Sequence, residues 1–125
     1  MPYINTTTNI NITSEQEQNI KARYAQAVSI IGKSETYLML GFNSGTSMYF
    51  GGSNDTPLAF VEVKFFGKST DDKLNALTTE ICKIISEELN ISPDKTYVRY
   101  EPVENWGWNG RKFKILNATA IVRND

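Results

Sequence analysis

The sequence predicts an α+β domain, a two-layer α/β sandwich built from a tandem β-α-β repeat. Three observations carry that prediction. Two stretches, one ending near Ile31 and one near Leu89, set apolar residues at helical spacing on one face only. The segment Leu58 to Phe66 (LAFVEVKFF) alternates at the period of a strand. The order strand, helix, strand occurs twice, with Thr36-Tyr37 and Thr96-Tyr97 beginning the closing strand of each copy.

Each element has its own justification. Residues 3–8 (YINTTT) are β-branched and polar without a helical period, and read as a strand. Thr13 or Ser14 opens the first helix, and Ser14-Glu15-Gln16-Glu17 fits a capping box. Ile20, Tyr24, Ala27, Val28 and Ile31 form its apolar face, and Gly32 stands where a left-handed terminal residue is wanted. Tyr37 to Phe42 is a short apolar run expected to be a buried strand, and Asn43-Ser44-Gly45 turns the chain. Met48 to Phe50 is expected to be briefly extended before the loop Gly51 to Asp55, where no following Lys or helix start supports a phosphate cradle.

In the strand from Leu58, residues Ala59, Val61, Val63 and Phe65 share the apolar face and Glu62 and Lys64 the other. Ser69 or Thr70 opens the second helix, with Asp71 and Asp72 at its positive end. Leu74, Leu77, Ile81, Ile84, Ile85 and Leu89 make its stripe, and Cys82 beside it reads as a small packed side chain. Asn90 ends the helix, Pro93 prevents its continuation, and Thr96 to Tyr100 is the next strand. One helix per crossover makes the strands within each unit parallel. One-sided helices leave the other face of the sheet to be covered by something else, and oligomerisation is the natural solution.

Composition removes several function classes. With 125 residues the chain is one domain spanning 1–125. Thirteen basic against 14 acidic residues give a net charge of −1, too little basic excess for a nucleic-acid partner held by bulk electrostatics. No apolar run approaches the ~18 residues of a membrane span, so no membrane insertion is expected. The start PYINTTTNINIT lacks the basic and apolar regions of a secretion signal, and a cytoplasmic protein is the default. One cysteine and no histidine exclude an intrachain disulfide, Cys/His zinc sites and Ser-His or Cys-His catalytic pairs. Sequons at Asn5, Asn11, Asn54, Asn90 and Asn117 read as chance in an Asn- and Thr-rich chain.

Catalysis therefore needs an unusual acid–base group, and Met1-Pro2 offers one. Loss of Met1 would turn the Pro2 nitrogen into a free secondary amine, and a small residue at position 2 is what methionine removal tolerates. Many chains also begin Met-Pro with no catalytic consequence.

Several segments, taken together, resemble macrophage migration inhibitory factor and its relatives in the tautomerase superfamily. They are Met1-Pro2, Gly32-Lys33 before Tyr37, Phe50-Gly51-Gly52-Ser53, Phe66-Gly67-Lys68, Leu89 to Lys95 (LNISPDK) leading to Tyr97, and Trp106-Gly107-Trp108-Asn109-Gly110 with Phe113. The resemblance covers residues 1–113. It implies a homotrimer whose sheets wrap into a central barrel with helices outside, and a site at each subunit boundary centred on the N-terminal proline. The implied activity is keto–enol tautomerisation of small aromatic 2-keto acids such as phenylpyruvate or hydroxyphenylpyruvate, and of dopachrome-like compounds. It also implies a cytokine-like role, with secretion by a leaderless route and a cell-surface receptor as partner.

Residue by residue, the resemblance implies Pro2 as general base and then acid. An apolar pocket and a nearby cation both disfavour a charged amine, bringing it below its ordinary value of about 7.7–8.0. Lys33 is the implied cation and the partner of the substrate carboxylate; alternatively it only compensates a helix dipole. Phe66 stands where relatives use an aliphatic residue whose backbone meets substrate. Tyr97, from a neighbouring subunit, is placed to contact substrate. Trp106, Trp108 and Phe113 form an apolar rim, with Tyr37 close by. Tyr97 and Tyr37 read equally as ordinary strand residues, and the tryptophans as core or a subunit contact.

Two departures stand out. Arg99 replaces an asparagine common in relatives, and either pairs with a substrate carboxylate or with Glu101 or Glu104. Leu58 and Val61 occupy the positions of the Cys-x-x-Cys found in some relatives, so thiol-oxidoreductase activity is not expected. Residues 114–125 (KILNATAIVRND) extend past the usual end, and Ile115, Leu116, Ala118, Ala120, Ile121 and Val122 are too apolar for a disordered tail. They are expected to add a strand to a neighbouring subunit or to cover part of the site. Three readings follow: a cofactor-free tautomerase, a leaderless cytokine-like binding protein with a vestigial pocket, and an oligomeric scaffold.

Overall fold

The computed structural model describes residues 1–115 and 121–123, and the side chains of 1–113. The main sheet has four strands in the order β2-β1-β3-β4, where β1 is Pro2–Thr8, β2 Met39–Asn43, β3 Ala59–Phe66 and β4 Thr96–Val103. Helix α1 (Ser14–Ala27) crosses from β1 to β2 and helix α2 (Asp71–Leu89) from β3 to β4. Both crossovers give parallel pairs, as the sequence predicts, and the two units join through antiparallel β1 and β3. A smaller antiparallel sheet follows, from β5 (Trp106–Trp108), β6 (Arg111–Ile115) and β7 (Ile121–Arg123).

The core lies between one face of the main sheet and the two helices. Ile4, Val61, Val63 and Phe65 point into it from the strands; Ile20, Tyr24, Leu77, Ile81, Ile84 and Ile85 meet them from the helices. Leu74 is only partly buried at the first turn of α2. Inside this apolar layer the Tyr24 hydroxyl and Thr6 Oγ1 share a buried hydrogen bond of 2.7 Å, which fixes α1 against β1. At the surface Arg23 joins the helices through Glu87 at 2.7 Å and Glu88 at 3.1 Å.

Local details differ from expectation for physical reasons. The capping box sits one residue earlier: Thr13 is extended and accepts from Gln16 N at 3.1 Å, while the Gln16 side chain accepts from Thr13 N at 2.9 Å. An amide oxygen serves here as well as a carboxylate, so Glu17 is not required. The α-helix stops at Ala27 and tightens into a 3₁₀ turn over Val28–Ile31, which keeps Val28 and Ile31 buried before Gly32 at φ 74°. Tyr37 belongs to a 3₁₀ turn, Glu35–Tyr37, and β2 begins at Met39. That strand is the edge of the sheet rather than a buried strand, and Met39 is 67% exposed. Phe50 makes a single bridge to Ser53 in place of an extended piece. β4 runs three residues past Tyr100, following β3 to Phe66.

The opposite face of the sheet carries Tyr3, Asn5, Glu62, Lys64, Arg99 and Glu101, and among the described residues no helix covers it. Polar side chains there bond to one another: Asn43 Nδ2 donates to Asn5 Oδ1 at 3.0 Å. Gly41 leaves room for them, since a Cβ there would stand 2.6 Å from the Tyr3 hydroxyl oxygen and would displace that side chain. The C-terminal strand β7 pairs with β6 of its own chain. Of the apolar extension, Leu116, Ala118 and Ala120 lie outside the described residues, as does Asn117.

The Tyr24–Thr6 bond yields a test of this core. Tyr24→Phe or Thr6→Val alone strands one buried polar atom and should lower unfolding free energy by about 1–3 kcal/mol. The double variant should lose less than the sum of the two, because no orphaned group remains. Urea denaturation of the four proteins measures the coupling.

Candidate active site

The site is assembled where β1 begins and β3 ends. The antiparallel register sets Pro2 opposite Phe65, and Phe66 N donates to the Met1 carbonyl at 3.4 Å. The Pro2 residue itself is buried. The turn after α1 delivers Lys33 to the same place: Gly32 takes the left-handed conformation, and Lys33 N donates to Val28 O at 3.0 Å. The Lys33 ammonium then donates to the Phe66 carbonyl at 2.7 Å and sits 5.8 Å from the centre of the Phe65 ring. Gly67 follows at φ 104° and ties this corner to β4 through Gly67 N to Val103 O at 2.9 Å.

Two titratable amines share the corner. Burial lowers the Lys33 pKa from its ordinary value. The amine at the chain start, which here belongs to Met1, is lowered from 8.0 to about 6, first by burial and second by the Lys33 charge. It is a primary amine one residue ahead of the Pro2 nitrogen, which is an amide while Met1 is attached. An amine at this end of β1 meets an environment that favours its neutral, proton-accepting form.

Aromatic rings continue from the same corner. Phe66 and Phe113 pack at 5.7 Å between centroids, Phe113 and Trp108 at 6.0 Å, and Trp108 and Tyr37 edge-to-face at 5.3 Å. The tight β5–β6 turn makes this possible, with Asn109 at φ 53° and Gly110 at φ 79°. Trp106 and Trp108 therefore lie on a strand, with only Asn109 and Gly110 in the turn. Phe113 is buried at the base of the rings rather than on their rim, and Trp108 and Tyr37 remain 43% and 50% exposed. Trp106 pairs in register with Phe113 and is half-buried.

Pro2, Lys33, Phe66, Tyr37, Trp106, Trp108 and Phe113 thus belong to one region. Tyr97 and Arg99 do not join them within the chain. Tyr97 pairs with Phe60, six residues before Phe66, which is about 20 Å along the strand at ~3.3 Å per residue. Arg99 pairs with Glu62 in register and donates to Glu101 at 3.1 Å, the second of the two partners foreseen for it. A second aromatic group, unanticipated from the sequence, surrounds Tyr97: Phe50 at 5.4 Å, Phe60 at 6.3 Å, and Lys95 above Phe50 at 4.5 Å. The alternation of β3 put Phe60 on the Tyr97 face, and that was the signal available. Cys82 is half-buried, and burial raises its thiol pKa. Among the described residues no group of three or more Cys, Asp or Glu could hold a metal ion.

The Lys33 charge is the second cause of the amine shift, so its removal should reverse only part of it. In Lys33→Met prepared with Met1 retained, the Met1 amine should titrate above its value near 6 but still below 8.0. NMR titration of the first residue follows this directly; an unchanged titration would remove Lys33 from the site's electrostatics.

The family model described as macrophage migration inhibitory factor matches residues 1–114. A macrophage migration inhibitory factor homolog of Brugia malayi is 30% identical over 115 residues, covering 90% of this chain and 99% of the relative. Macrophage migration inhibitory factor of Mus musculus is 30% identical over the same shares of the two chains. The crystal structure of Leishmania major MIF2 superposes with a TM-score of 0.84 at 29% identity, covering 90% of this chain and 97% of that one. With its paired β-α-β units and this coverage, the chain belongs to the macrophage migration inhibitory factor family, in the tautomerase superfamily.

Proposed function

We propose that the protein is a cofactor-independent keto–enol tautomerase of aryl 2-keto acids, phenylpyruvate and hydroxyphenylpyruvate or dopachrome-like compounds, with Pro2 as its acid–base group once Met1 is removed. The observation that carries this reading is the environment at the start of β1, where burial and Lys33 lower the Met1 amine to about 6 beside a run of aromatic rings. A neutral Pro2 nitrogen takes the proton from the enol oxygen as the C=O bond forms. The same nitrogen, now protonated, returns it to the adjacent carbon. The reaction is an isomerisation, so atoms and charge balance without a co-reactant.

Lys33 anchors the substrate carboxylate: an ammonium has three donors, and one of them is used on Phe66 O. Phe66 contributes its backbone, and Trp106, Trp108 and Tyr37 grip the aryl ring over buried Phe113. Tyr97 enters from a neighbouring copy in a homotrimer. The support for this is its 58% exposure and its distance from its own chain's Pro2, together with the uncovered sheet face. Arg99, which uses one guanidinium nitrogen on Glu101, has further donors for an acidic group. Family membership also supports a cytokine-like reading, with leaderless export from the cytoplasm and a cell-surface receptor; an inactive, processed trimer that binds such a receptor would favour it.

Mass spectrometry of the purified protein should show Met1 missing. Pro2→Gly should then lower kcat/KM for phenylpyruvate by about 10²-fold or more, the usual contribution of a general acid–base group. A fully active Pro2→Gly would overturn the mechanism. The base works unprotonated, so kcat/KM of the wild type should climb with rising pH through the pKa of the Pro2 amine, which burial and the Lys33 charge hold below the ordinary α-amino value, and level off above it. A profile that falls over that range would contradict the assignment.

A further inference from the structure

We propose that Lys95 is a positioning residue for Tyr97: its ammonium holds the Phe50 ring against Tyr97 and so fixes the face that Tyr97 offers to a ligand. Lys95 and Tyr97 stand two residues apart and grip the same ring. The Lys95 nitrogen lies 4.5 Å from the Phe50 centroid, and the Tyr97 ring lies 5.4 Å from it. Phe60, the register partner of Tyr97, closes the other side edge-on at 6.3 Å and 88°. Tyr97 is therefore bounded by two rings while more than half of it stays open to solvent.

Each holder is itself held. Phe50 precedes a two-residue turn at Gly51 and Gly52, both with positive φ, closed by Phe50 N to Ser53 O at 2.8 Å and Ser53 N to Phe50 O at 3.1 Å. Lys95 ends a 3₁₀ turn begun by Pro93, and its N–H donates to Ser92 O at 2.9 Å. Asp55 N donates to Ser53 Oγ at 3.1 Å within the same segment, and the Phe50 ring reaches from it to Tyr97 of β4. An ammonium over a ring face is attracted by the ring's quadrupole, and the attraction survives exchange for Arg but not for an apolar side chain of similar length. The ligand part of this inference rests on the tautomerase reading above, in which Tyr97 reaches a neighbouring copy's pocket.

The test compares Lys95→Met and Lys95→Arg in the full chain. With phenylpyruvate, Lys95→Met should raise KM about two- to fivefold, the range for an exposed cation–π contact, with kcat unchanged. Lys95→Arg should restore KM. In protein labelled with 3-fluorotyrosine, the Tyr97 ¹⁹F resonance, assigned by Tyr97→Phe, should move in Lys95→Met and return in Lys95→Arg. A resonance that stays in place overturns the proposal, and one that moves without any change in KM overturns its ligand half. Should the wild type not turn over phenylpyruvate, the tautomerase reading fails, and the ¹⁹F spectra still decide whether Lys95 positions Tyr97.

Discussion

The contact on which the site depends is the 2.7 Å hydrogen bond from the Lys33 ammonium to the carbonyl of Phe66. It joins the turn after α1 to the end of β3, two segments 33 residues apart in sequence. A partly buried lysine charge is costly to place, and a carbonyl acceptor offsets some of that cost. Once it is there, its field acts on whatever amine begins β1. Burial alone would lower that amine; burial with a fixed cation lowers it further.

The rest of the fold sets up this contact. Parallel crossovers bring both helices to one face, and the antiparallel β1–β3 pair puts the chain start at the end of β3 where Lys33 arrives. Gly32 lets the backbone turn left-handed so that Lys33 leaves the helix toward β3. The buried Tyr24–Thr6 bond fixes α1 on β1, and so fixes the starting point of that turn. The small sheet contributes the aromatic wall because its two-residue turn folds Phe113 back beneath Trp108.

Much of this was legible in the sequence. Period decided the helices and β3, since their apolar residues face a common core and nothing competes with that pattern. Asn90 and Gly32 marked their helix ends through the left-handed conformation that both adopt. The grouping of Pro2, Lys33, Phe66 and the rings followed from resemblance, not from period, because it depends on register between distant segments. Local chemistry was less legible. Thr13 and Ser14 are near-equal caps, and only the extended backbone at Thr13 decides between them. An apolar run such as Tyr37 to Phe42 cannot say whether it lies at the middle or edge of a sheet. Phe50 and Lys95 meet Tyr97 through a turn, so no spacing rule announces them. The separation of Tyr97 from Pro2 follows from β3–β4 register, and it is the strongest physical reason to expect a second copy at the site.

The central claim is that the chain-start amine stays neutral and reactive close to neutral pH inside a pocket shaped for an aryl acid. Acylation at pH 6.5 with a small amine-directed reagent, read by peptide mass spectrometry, addresses it in one measurement. The account predicts modification concentrated on the first residue, with the lysines largely spared, and slowed by a saturating aryl 2-keto acid. Labelling spread over the lysines, or N-terminal labelling indifferent to the acid, would contradict it.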